Sequence, residues 1–164
     1  MTTPATSTSV RSTIVVDAPV EVAFTVFTRD IGTWWPPEHH LLEGELSEMV
    51  FEPRVGGYVY DRAVDGTECR WSRVLAYEPP HRVVFSWDIN LRWQLETDPS
   101  RTSEIEVTFV PEGRGRTRVE LEHRNLERHG DGWEGMQTAV GSPDGWHLGM
   151  QAFASAAGRA GAAD

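Results

Sequence analysis

The chain has 164 residues, a single-domain length, and a compact domain near this size buries roughly 68–70% of its unfolded surface, enough for a core that holds a cavity. Fifteen basic residues, all arginine, stand against twenty-five acidic ones for a net charge of −10, which repels phosphate backbones and anionic lipid and disfavours nucleic acid and membrane as partners. The one cysteine, Cys69, excludes an intramolecular disulfide and a cysteine-based zinc site, and with no run near the ~20 apolar residues of a membrane span the expectation is a cytoplasmic protein.

In chain order, residues 1–9 read as a disordered, Ser/Thr-rich leader. The alternating, β-branched VRSTIVVD (10–17) predicts a first strand. Asp17 then caps a helix with Pro19 in its first turn and Val22, Phe24, Val26 and Phe27 on its apolar faces. DIGTWWPPEHHL (30–41) reads as a stiff corner: Pro36 and Pro37 fix the backbone, and Trp34 and Trp35 pack either under the sheet or at the cavity mouth. Its Glu38-His39-His40 is a poor metal set, because adjacent histidines in such a loop point apart.

Six strands follow, at about 47–52, 58–63, 67–77, 81–90, 103–110 and 117–123, with turn chemistry between them that indicates an antiparallel meander. A polar connection at 91–101 carries Trp93 as a lid over a cavity mouth or a mobile loop. Residues 127–140 are helical in part, interrupted by Gly130, Gly132 and Gly135. Ser142-Pro143-Asp144 signals a helix start, and Trp146, Met150, Phe153 and Ala157 share one face of that final helix. The domain is expected over 10–158, with a disordered tail at 159–164.

Alternation assigns inward rows: Val83, Phe85, Trp87 and Ile89, then Ile105, Val107 and Phe109, then Val119, Leu121 and His123. The opposite rows carry Glu104, Glu106, Glu120 and Glu122 beside arginines, which reads as a charged outer face rather than paired catalytic acids. His123 ends an apolar row, and either bonds a backbone carbonyl at the rim of the core or serves as a polar handle or general acid–base group for a ligand. The inward faces of 58–63 and 67–77 stay open, so Arg73 reads as either exposed or a structural residue paired with Asp61 or Glu68, and Cys69 as inert packing.

The run GGYVYDRAVDGTECRWSRVLAYEPPHRVVFSW (56–87), VELEHRNL (119–126) with Gly132-Trp133, and the early TWWP resemble the bacterial branch of the heat-shock protein 90 ATPase activator homologues, within the START-like (SRPBCC) superfamily. The resemblance spans 10–158. It implies an α+β helix-grip (START/Bet v 1-like) fold, a seven-stranded antiparallel sheet curled around a long C-terminal helix with a cavity between them. Members of the superfamily bind lipids, polyketides, hormones or other apolar molecules, and some are cyclases or hydrolases.

The expected function is therefore binding of a small apolar or aromatic ligand. Phe85, Trp87, Phe109, Leu121, His123, Trp146 and Met150 are the cavity candidates, with no catalytic residue, metal or cofactor assigned. A polyketide cyclase or hydrolase is the alternative. A chaperone or regulatory partner is a third reading, which the absence of room for a separate N-terminal domain argues against, and a homodimer is left open.

Overall fold

The computed structural model describes residues 8–36 and 39–162; Pro37 and Glu38 of the proline-led corner, most of the expected leader and the last two residues lie outside them. The elements are β1 (Val10–Val16), α1 (Val20–Phe27), β2 (Leu46–Phe51), β3 (Tyr58–Ala63), β4 (Glu68–Glu78), β5 (Arg82–Trp87), β6 (Ser103–Pro111), β7 (Thr117–Arg124), α2 (Trp133–Val140) and α3 (Trp146–Ala162). All strands pair antiparallel in one seven-stranded sheet of order β1-β7-β6-β5-β4-β3-β2, as the meander pattern predicts.

The sheet curls because extra residues are inserted along it. Trp71 and Leu75 of β4 are skipped in the pairing with β3 and β5, and Ser47 of β2 in the pairing with β3. Such bulges bend a strand and increase its twist. The one at Trp71 places Trp71 and Ser72 both inside, at 3% and 0% exposure, so alternation does not read that strand.

The concave face closes on α1 and α3. Phe27 of α1 meets Phe85, Phe109 and Phe153 with ring centroids 6.2, 5.8 and 5.1 Å apart, so helix and sheet touch through the middle of the domain. Trp146, Met150, Phe153 and Ala157 all face this core. On the convex face Arg124 reaches Glu104, Glu106 and Glu122, Arg82 reaches Glu78 and Glu106, and Arg118 reaches Glu112 and Glu120. The glutamates predicted to be a solvated face are that face.

Several local expectations change. Asp17 does not cap α1: Pro19 holds the N-cap position, because Thr117 Oγ1 donates to the Ala18 carbonyl at 2.8 Å and keeps the link extended until the proline. Arg73 pairs with neither Asp61 nor Glu68 but with Asp88, Nε and Nη2 each donating at 3.0 Å across β4 and β5. Beyond Trp87 the predicted strand stops, and residues 88–96 fold back as a small hairpin, with Asp88 accepting from the Glu96 amide at 2.9 Å.

Gly130 and Gly132, at φ +92° and +95°, split the expected 127–140 helix into a short 3-10 turn and α2. Ser142-Pro143-Asp144 is a turn, and α3 begins after it at Trp146. The expected disordered tail is helical through Ala162: a Cβ on Gly161 would lie 2.7 Å from the Asp17 carbonyl oxygen, which is how closely the last turn of α3 packs on the β1–α1 link.

Candidate functional site

Because Phe27 fills the centre, open space remains at one end of the domain. There the start of α3, the end of α2, the end of β5, the 88–96 hairpin and residues 35–36 and 39–41 surround a pocket of about 460 Å³. Its walls are largely apolar: Trp35, Trp87, Trp93 and Trp146, with Pro36, Leu41, Ile89 and Val140, while His39, His40, Ser142 and Asp144 supply the polar side.

The indoles form a connected set. Trp35 lies 5.2 Å from Trp71 and 5.7 Å from Trp146, and Trp87 lies 5.9 Å from Trp71 and 6.0 Å from Trp146, centroid to centroid. These are the offset and edge-on separations aromatic rings favour. The two tryptophans of the corner divide the work. Trp34 is buried against Phe27 and Phe153 and donates its Nε1–H to the Val26 carbonyl at 2.8 Å, holding the corner, while Trp35 faces the pocket.

Trp93 stands at the hairpin tip with φ +59° and 47% exposure. The Asn90 side chain holds that turn by accepting from the Arg92 and Trp93-following Gln94 amides at 2.9 and 3.0 Å. The first half of the 91–101 connection is thus the tip and return of the 88–96 hairpin, with Trp93 on the pocket wall.

Of the seven residues expected from the sequence, Trp87 and Trp146 are on the pocket wall. Phe85, Phe109, Leu121 and Met150 are at most 2% exposed and belong to the core that Phe27 fills, away from the wall. His123 sits behind the wall, its ring 5.1 Å from Trp87 and 6.1 Å from Trp146, with no exposure at all.

His123 bonds no backbone carbonyl. An indole N–H can only donate, so the 3.1 Å contact from Trp146 Nε1 makes His123 Nδ1 an acceptor and puts the ring proton on Nε2. Nε2 then donates to Ser103 Oγ at 2.7 Å, and the Ser103 hydroxyl donates to His129 Nε2 at 2.7 Å. The opposite sense would leave the Ser103 proton without an acceptor. This direction leaves one orphan, the buried His129 Nδ1. Burial, and then the neighbouring His129, push His123 down to about 3, and burial also lowers His129. With both nitrogens engaged and the ring held neutral, His123 is not a proton-transfer group for the pocket; it fixes the orientation of the Trp146 indole.

The polar pair that does reach the pocket escaped sequence reasoning. Asp61 of β3 lies on the inner face between Val59 and Ala63, 1% exposed, and its Oδ2 is 2.8 Å from Nδ1 of His40 in the pocket wall. Its other oxygen, Oδ1, has no partner among the described residues. An acid in the middle of a row of small apolar residues is the one signal the sequence carries. Cys69, opposite Asp61 in the ladder, has its thiol pushed up to about 11, by burial first and by Asp61 second, which makes it unreactive packing.

An antiparallel sheet closed on a long C-terminal helix, with an aromatic-walled pocket at one end, defines a helix-grip domain. The chain belongs to the family described as Activator of Hsp90 ATPase homolog 1-like protein, whose model matches residues 17–157. Solved structures of the same fold include the anthrahydroquino-gamma-pyrone synthase Txn09 complexed with SUM, 45% identical, covering 93% of this chain and 99% of its own, TM-score 0.64. The self-sacrificing resistance protein CalC from Micromonospora echinospora is 26% identical, over 96% and 99%, TM-score 0.66. A protein from Nitrosomonas europaea, 15% identical over 96% and 99% at TM-score 0.65, shares the fold. A comparison with curated proteins finds no match. Among the described residues no helix is long and apolar enough to cross a membrane.

Proposed function

We propose that the pocket receives a planar, fused-ring aromatic polyketide and closes an oxygen heterocycle on it. The observation that carries this reading is the wall of four indoles, Trp35, Trp87, Trp93 and Trp146, around a space within the roughly 300–1,000 Å³ range of small-molecule sites. Flat aromatic faces suit a flat aromatic guest, and rigid tryptophans lose little conformational freedom on binding it. The 45% identity to a gamma-pyrone synthase over nearly the whole chain supports the same substrate class.

The chemistry required is modest. A phenol oxygen adds to the far carbonyl of an ortho-hydroxyaryl 1,3-diketone, one C–O bond forms, and the carbonyl oxygen leaves as water, with no redox change. Incubating the full chain with such a diketone built on an anthracene-type ring system, and following tryptophan quenching and product mass, tests the reading. Quenching with a product lighter by one water is expected. No quenching by any fused-ring aromatic sinks it.

Likeness to a resistance protein favours a second reading, in which the pocket sequesters an aromatic molecule without converting it. Quenching followed by recovery of the unchanged diketone would select that one.

A further inference from the structure

We propose that His40 is the general base of this pocket and Asp61 the residue that positions it. The inference rests on the reading above and names the group that would carry its proton transfer. His40 lines the pocket with its side chain 10% exposed, and its Nδ1 is 2.8 Å from the Asp61 carboxylate. A carboxylate accepts only, so the imidazole proton is held on Nδ1 and the lone pair is left on Nε2, which makes no hydrogen bond among the described residues. That is the arrangement in which an acid fixes the tautomer and then stabilises the imidazolium that forms.

The burial of Asp61 argues for this use. Its side chain is 2% exposed, His40 is its one hydrogen-bonding partner among the described residues, and Oδ1 has none. A residue needed only to tether a loop would do so as a neutral amide, without the desolvation cost of a half-satisfied carboxylate. The other polar chain near the pocket runs behind its wall, through His123, whose two nitrogens are both bonded, to His129, which does not line the pocket.

In ring closure His40 Nε2 takes the phenol proton as the oxygen attacks the carbonyl carbon. The new C–O bond forms, and the former carbonyl oxygen receives that proton back from the imidazolium and becomes a hydroxyl. The regenerated imidazole then takes a proton from the ring α-carbon and delivers it to this hydroxyl, which departs as water as the ring carbon–carbon double bond is established. Both protons of the water come from the substrate, and the imidazole ends neutral.

The test uses 5-nitrobenzisoxazole, a planar aromatic that opens when a base removes its ring C–H proton, so the base is read without the natural substrate. In the full-length chain His40→Gln and Asp61→Asn are each expected to lower kcat by about 100-fold or more, with KM within about threefold. Asp61→Asn should also move the His40 ring proton to Nε2 in the 15N spectrum, which a merely structural role would not do. Equal rates in wild type and His40→Gln, whether both fast or both at background, overturn the assignment. His40→Gln carries the test where Asp61→Asn does not fold. Anthraquinone quenching in the same samples separates the two ideas: loss of quenching with the base intact sinks the ligand reading instead.

Discussion

Ser103→Ala isolates the buried relay behind the pocket. The hydroxyl is fully buried and serves two rings at once, accepting from His123 Nε2 and donating to His129 Nε2, both at 2.7 Å. Its deletion strands one donor and one acceptor where water does not reach, at about 1–3 kcal/mol each, or about 2–6 kcal/mol together. Ser72→Ala is the matched control. That hydroxyl is equally buried and has no partner among the described residues, so its removal should be neutral or stabilising. Urea unfolding followed by tryptophan fluorescence reads the difference. With m of about 2 kcal/mol/M, the Ser103→Ala midpoint should fall by about 1–3 M at unchanged m, while Ser72→Ala stays within about 0.3 M of wild type. Equal midpoints for the two variants would refute the relay.

Stability should also depend on pH through His123. Its folded pKa of about 3 lies below the unfolded value near 6.5, so between those limits only the unfolded chain binds the proton. The stabilisation is complete above about pH 6.5 and is lost as pH falls toward 3, at about 1.4 kcal/mol per pH unit, with His129 acting in the same direction. His123→Gln should flatten that slope by one proton in urea titrations from pH 7 to 4. Trp93→Gly should separate fold from ligand: relief of a positive φ keeps the midpoint level or raises it by up to about 1 kcal/mol, while affinity for a fused-ring aromatic drops. Gly161→Ala should destabilise by about 1–3 kcal/mol by clashing with Asp17 and Ala18, whereas Gly158→Ala, with open space at its Cβ, should gain up to about 1 kcal/mol. Thermal melts of the pair check both signs.

The fold was legible because its signals are local. Turn residues and period-two alternation place each of the seven strands within a few residues, and β6 and β7 bury their inward rows as read. Alternation misled wherever the sheet departs from a plain pleat. On β5, the middle strand, Val84 and Ser86 are as buried as Val83 and Phe85, because charged side chains of neighbouring strands cover the convex face there. On β4 the bulges put consecutive residues inside. The boundaries of α1 and α3 moved because tertiary contacts, Thr117 to Ala18 and Gly161 to Asp17, settle where a helix starts or continues, and no local pattern encodes them.

The site shows the same division more sharply. An inward position tells that a side chain is buried, not that it faces an opening, and four of the seven expected residues lie in the closed core for that reason, Phe85 and Phe109 directly against Phe27. His123 satisfied every sequence criterion for a polar handle, yet burial supplies it with partners on both nitrogens and removes its charge. His40 looked like half of an adjacent pair in a proline-led loop, and its meaning comes from a carboxylate 21 residues away on the next strand but one of the fold's winding, which only the curled sheet brings within 2.8 Å. Proton transfer needs a ring with one nitrogen held and one free. That condition is a property of two segments meeting, so it separates His40 from His123 in the structure where residue type and spacing cannot.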